Sequence, residues 1–97
     1  MGYKLEYSKQ AKNDSRLLEQ AGLDKKAKKL LSIIKNNPYE PPCEKLARDL
    51  KGCYSRRINK QHRIVYEILP NSENLKDRNG ERYKGIAHII RMWTHYE

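Results

Sequence analysis

Arginines and a histidine fall on shared faces of strand-like runs in the C-terminal half of the chain, an arrangement that can build an anion site. In HRIVYEIL (62–69), Arg63, Val65 and Glu67 fall on one face of a strand, and His62, Ile64, Tyr66 and Ile68 on the other. In 86–95, Ala87, Ile89, Arg91, Trp93 and His95 share a face. In CYSRRIN (53–59), Arg57 lies opposite to Arg56. One side of such a sheet would display Arg and His with aromatic rings among them. Guanidinium groups grip phosphate oxygens in pairs and aromatic rings stack on unpaired bases, so the pattern fits a groove for RNA. The same arginines also fit an ordinary solvated sheet face. Tyr3, Tyr7 and Tyr66 read as core, and His62 and His88 as structural or solvent-facing. The apolar run of HIIRMWTHYE (88–97) stops at His95 and Tyr96, one residue short of the last position given.

The charge agrees with an anionic partner. Lys and Arg number 21 and Asp and Glu 12, a formal +9 over 97 residues. That field favours nucleic acid, an acidic protein or an anionic surface. The two cysteines, Cys43 and Cys53, have neither C-x-x-C nor paired Cys/His spacing, which speaks against structural zinc; free thiols are expected, and no metal or other cofactor. The N-terminus MGYKLEYSK does not resemble a signal peptide, and no run approaches the roughly 18 apolar residues of a membrane span. The expectation is a soluble cytoplasmic protein with no membrane partner, a single domain over 1–97.

The elements that must position these residues follow from periodicity. GYKLEY alternates like a strand, and Ser8 then offers an N-cap for a helix to about Gln20, with Gly22 as its stop. The apolar stripe of that helix (Ala11, Leu17, Leu18, Ala21) is thin. From Asp24 a second helix repeats Leu23, Ala27, Leu30, Leu31 and Ile34 at spacings of three and four, with lysines on its outer face. NNPYEPPCE (36–44) reads as an ordered loop, 44–50 as a short helix-like segment, and Lys51-Gly52 as a turn. Two strands (53–59 and 61–69), a polar stretch (70–85) with a type I′ hairpin signal at Asn79-Gly80, and a last strand over about 86–95 complete the chain. Two N-terminal helices followed by sequential strands predict an α+β fold, a small twisted antiparallel sheet with both helices on one face.

Residues 42–66, PCEKLARDLKGCYSRRINKQHRIVY, together with Thr94-His95-Tyr96, resemble the YoeB/Txe toxins of type II toxin–antitoxin systems, in the RelE-like superfamily. The similarity runs continuously from about Asn36 to Ile68 and resumes at the C-terminus. The resemblance implies the α+β, microbial-ribonuclease-like fold reached above. It also implies an endoribonuclease that cuts mRNA in the ribosomal A site and is neutralised by an acidic antitoxin, with homodimers or toxin–antitoxin hetero-oligomers as assemblies. Carried across residue by residue, it assigns Glu44 as catalytic glutamate, Arg57 and Arg63 as active-site arginines, and His95 and Tyr96 as the C-terminal pair.

The implied chemistry is metal-independent. Glu44 would take the ribose 2′-OH proton and His95 would give one to the leaving 5′-oxygen. Arg63 and Arg57 would neutralise charge on the phosphorane, and Tyr96 would orient the phosphate or base. Arg56, Arg48, Arg91 and Lys45 are the further candidates for RNA contact. Ala47 stands where the family usually has lysine, with Arg48 beside it; Tyr54 stands where tryptophan is frequent, and 70–85 is longer than the usual turn. Taken singly, Glu44 could instead cap the 44–50 segment and His95 could be a frayed terminal residue. Two other readings stay open, a basic RNA-binding module without catalysis and a toxin of the same superfamily acting on gyrase.

Overall fold

The structure, a computed structural model, describes residues 2–46 and 52–93. Five strands, β1 (Tyr3–Tyr7), β2 (Glu44–Lys45), β3 (Cys53–Arg57), β4 (Arg63–Leu69) and β5 (Gly85–Arg91), form one sheet in the order β1-β5-β4-β3-β2. Helices α1 (Lys9–Gln20) and α2 (Asp24–Asn36) lie between β1 and β2 in the chain. The sheet is mixed. β2–β3, β3–β4 and β4–β5 pair antiparallel, as expected, but β1 runs parallel to β5 because the two helices carry the chain back before the next strand forms.

Ser8 caps α1 by accepting a hydrogen bond from the Ala11 amide at 3.0 Å, and its own hydroxyl donates to the Ile90 carbonyl at 2.7 Å. Gly22 ends the turn after α1 with φ +76°, where a side chain would be strained. The buried face of α1 is Ala11, Asp14 and Leu18; Leu17 and Ala21, expected in its stripe, are exposed. On α2, Ala27 and Ile34 are buried, and Leu23, Leu30 and Leu31 pack beside them as the spacing predicts. These helices cover Ile64, Tyr66, Ala87 and Ile89 of β4 and β5, with Ile58 and Met92 at the margins. Tyr66 is fully buried and Tyr3 packs against the core, whereas Tyr7 is exposed.

Three local expectations change. Glu44 and Lys45, placed in a helix-like segment, form the two-residue strand β2; positions 47–51 lie outside the described residues. The last strand ends at Arg91, and 92–93 leave the sheet. At Asn79-Gly80 the hairpin is real but not type I′, since Gly80 has positive φ and Asn79 does not. Instead the Gly80 amide donates to the Asp77 carbonyl, the Asp77 amide donates to Glu81, and Lys76 bridges Arg82, the pattern of a type I turn closed by a left-handed glycine. The Asp77 carboxylate takes the Asn79 and Glu81 amides and so holds the turn from inside. No described helix is long and apolar enough to cross a membrane.

Candidate active site

Strand register brings three of the expected side chains, Glu44, Arg57 and Arg63, to one face. Glu44 pairs with Ser55 across β2–β3, and Arg57 pairs with Arg63 across β3–β4; cross-strand partners project to the same side. Arg63 Nη1 lies 3.0 Å from Glu44 Oε2 and 3.4 Å from Ser55 Oγ. Arg57, exposed, stands beside Arg63 as a like charge, and among the described residues it makes no ion pair. Two adjacent guanidinium groups with one carboxylate leave net positive charge at this point of the sheet, an arrangement a phosphate would relieve. Glu44, Ser55, Arg56, Arg57 and Arg63 line a pocket of about 390 Å³, closed on its other side by Pro42 and α2 residues Leu30 and Ile33. Ser55 is buried and was missed in the sequence, although it occupies the strand position between Cys53 and Arg57 on the same face.

The loop that delivers Glu44 is fixed from β3 and β4. The Tyr66 hydroxyl donates to the Pro38 carbonyl at 2.6 Å, and burial pushes its phenol pKa well up. Arg56 donates to the Glu40 carbonyl. Tyr39, Tyr54 and Tyr66 form a run of ring contacts, with centroids 5.5 Å apart in the first pair and 5.9 Å in the second. Arg56, expected to contact RNA, is only 3% exposed and spends its guanidinium on this loop, so its wall of the pocket is structural.

Arg91 also departs from the expected groove. The β4–β5 ladder bulges at Val65/Tyr66, where Val65 pairs with Arg91 and Tyr66 with Ile89, so strict alternation does not carry past Ile89. Arg91 Nε donates to Asp14 of α1 at 2.9 Å. Lys45 is exposed and in register with Tyr54, on the opposite face from Glu44. His88 meets Glu67 at 3.1 Å, and His62 stacks on Trp93 with ring centroids 3.9 Å apart. His95, Tyr96 and Arg48 lie outside the described residues. Among the described residues no group of three His, Cys, Asp or Glu side chains forms a metal-ligand set.

Residues 6–77 match the family model described as the YoeB-like toxin of bacterial type II toxin–antitoxin systems. Among solved structures, the YoeB dimer of Staphylococcus aureus is 31% identical with a TM-score of 0.71, the alignment covering 99% of this chain and 100% of that one. A chain of the YoeB–YefM complex from the same organism is 32% identical with a TM-score of 0.67, at the same coverage. A YoeB/ParE toxin from Agrobacterium tumefaciens shares the fold at a TM-score of 0.74 and 24% identity, covering 96% of this chain and 99% of that one. No curated protein matches the chain.

Proposed function

The chain belongs to the YoeB-like toxins of bacterial type II toxin–antitoxin systems, and from that membership we propose that it is an endoribonuclease that cleaves mRNA in the ribosomal A site. The observation that carries this reading is the Glu44–Arg63 contact at 3.0 Å, with Arg57 across the strand from Arg63. A carboxylate held against one guanidinium, with a second guanidinium across the strand, offers both a base for the 2′-OH and positive charge for the phosphate.

A scissile phosphate competes with Glu44 for Arg63. Once the phosphate oxygens occupy Arg63 and Arg57, the Glu44 carboxylate is released toward the 2′-OH. It takes that proton while O2′ attacks phosphorus. The bond from phosphorus to the 5′-oxygen breaks, and His95 supplies the proton that the departing oxygen needs. Tyr96 orients the phosphate or base. The arginines stabilise the phosphorane charge, a contribution of about 3–4 kcal/mol for one well-placed donor in comparable sites. The product carries a 2′,3′-cyclic phosphate, no metal takes part, and a 2′-deoxy substrate is not cut.

The +9 surface suits an acidic antitoxin that neutralises the toxin by occupying this pocket. Homodimers and toxin–antitoxin hetero-oligomers, known for the S. aureus proteins, are proposed here as its assemblies. The test is end-group analysis of products from programmed ribosomes with chelator present, using mRNA with and without one 2′-deoxy nucleotide at the cleaved position. Cyclic-phosphate ends that vanish with the 2′-deoxy substitution are expected. Cleavage of the substituted RNA, or cleavage lost to chelator at constant ribosome integrity, would overturn the chemistry.

A further inference from the structure

One apolar side chain of α2 stands apart from the stripe that fills the core. Leu23, Ala27, Leu30, Leu31 and Ile34 pack into the core cluster, and the outer face of the helix is mostly lysine. Ile33 belongs to neither set. It is half-buried and lines the pocket that holds Glu44, Arg57 and Arg63. The last turn of the helix fixes its backbone, where the Asn37 amide donates to the Ile33 carbonyl at 2.8 Å. Leu30, three residues back on the same side of the helix, and Pro42, two residues before Glu44, continue the wall. The pocket therefore has two unlike sides, one of guanidinium and carboxylate groups and one of aliphatic carbon. Water wets the aliphatic side poorly, so a ligand that covers it gains by doing so.

We propose that Ile33, Leu30 and Pro42 form a nucleobase subsite, holding the base of the nucleotide 5′ to the cut while Arg57 and Arg63 hold its 3′-phosphate. This rests on the ribonuclease reading above. A nucleotide joins a charged group to flat, poorly hydrated ring faces, and an unstacked base is held by contact with aromatic or apolar side chains. The pocket, about 390 Å³, has the size of a small-ligand site. An acidic peptide would share the arginines, but a bound strand or helix needs a groove that runs past its anchors. The 5′ nucleotide is the one whose 2′-OH Glu44 takes, and Pro42 stands on the loop that carries Glu44. Aliphatic side chains offer no hydrogen bond, so this wall grips a base without reading its edge.

The experiment is a cycle on programmed ribosomes, with mRNA whose nucleotide 5′ to the cut is either intact or abasic, the 2′-OH being kept in both. Wild type, Ile33→Ala and Ile33→Leu are compared by kcat/KM, with far-UV circular dichroism and urea midpoints as checks on the fold. On intact mRNA, Ile33→Ala should lose about tenfold in kcat/KM, and Ile33→Leu, which keeps the aliphatic surface, should stay within about threefold of wild type. On abasic mRNA the wild type should fall by a similar factor, and Ile33→Ala should fall no further. An equal loss from Ile33→Ala on both RNAs overturns the inference, because the side chain then acts on something other than the base. Unchanged cleavage of intact mRNA by Ile33→Ala also overturns it and leaves the wall to a protein occupant. Should Ile33→Ala fail to fold, Pro42→Ala takes its place in the cycle. A wild type that leaves intact mRNA uncut removes the ribonuclease reading itself, whereas one that cuts intact and abasic mRNA equally removes only the base subsite.

Discussion

Glu44 Oε2 and Arg63 Nη1 are 3.0 Å apart, yet the two side chains are unequally placed: Arg63 is 14% exposed and Glu44 64%. An ion pair with one partner so open to water contributes little to stability, about 0–1 kcal/mol. Its geometry, a carboxylate parked on the guanidinium that a phosphate would claim, matters more. Glu44→Ala should therefore leave the urea midpoint almost unchanged while lowering single-turnover cleavage about 10²-fold. Arg63→Lys keeps the charge but not the fork and should lose a comparable factor. A Glu44→Ala protein that cuts at the wild-type rate would assign the proton to another base.

Arg56 and Tyr66 act on the loop that carries Glu44 rather than on substrate. Tyr66→Phe strands the Pro38 carbonyl and Arg56→Ala strands that of Glu40, each costing about 1–3 kcal/mol. Urea unfolding measures the loss. Salt dependence of RNA binding should change little in Tyr66→Phe, which removes no charge.

Asp14 makes stability depend on acid. Burial alone would raise the pKa of its carboxyl, but the hydrogen bond from Arg91 and the Met92 amide, the Arg91 charge and Gln10 outweigh it and hold the group below the usual carboxylate range. A depressed folded-state pKa means the contribution is complete above the unfolded value of about 3.9 and is lost as pH falls through the folded one. Urea midpoints of wild type should drop below about pH 4, and D14N should be less stable at neutral pH with a shallower acid decline. Parallel curves for the two proteins would show that other carboxylates govern acid unfolding.

The segment from Asn71 to Lys84 is an ordered unit in which Asp77 holds the tip and Asn71 the base. Asn71 is 4% exposed, donates to the Leu75 and Tyr83 carbonyls and accepts from the Leu75 amide, while Arg82 donates to its carbonyl. Asn71→Ala should cost about 1–3 kcal/mol by thermal or urea unfolding and leave cleavage per folded molecule intact.

Local signals in the sequence located most elements. Ser8, Gly22 and the 3–4 spacing of α2 act within a few residues, and the structure follows them. Three features needed contacts from far along the chain. Asp14 looks like an exposed helix residue until Arg91, 77 positions later, is brought to it. Alternation put Arg56 and Arg57 on opposite faces but could not say that the loop at Glu40 would bury one of them. β2 is two residues long, too short for any periodicity to distinguish strand from helix. At the site, the family string placed Glu44, Arg57 and Arg63, which register then brings together. Ser55 and the Asp14–Trp93 contacts became visible only with strand pairing.

Primer extension on a defined mRNA with the purified protein, with and without programmed ribosomes and with Glu44→Ala alongside, tests the ribonuclease reading most directly. Cuts confined to the A-site codon, present only with ribosomes and lost in Glu44→Ala, are the predicted result. RNA retained at low salt but uncut in every lane would contradict it and leave a basic RNA-binding module.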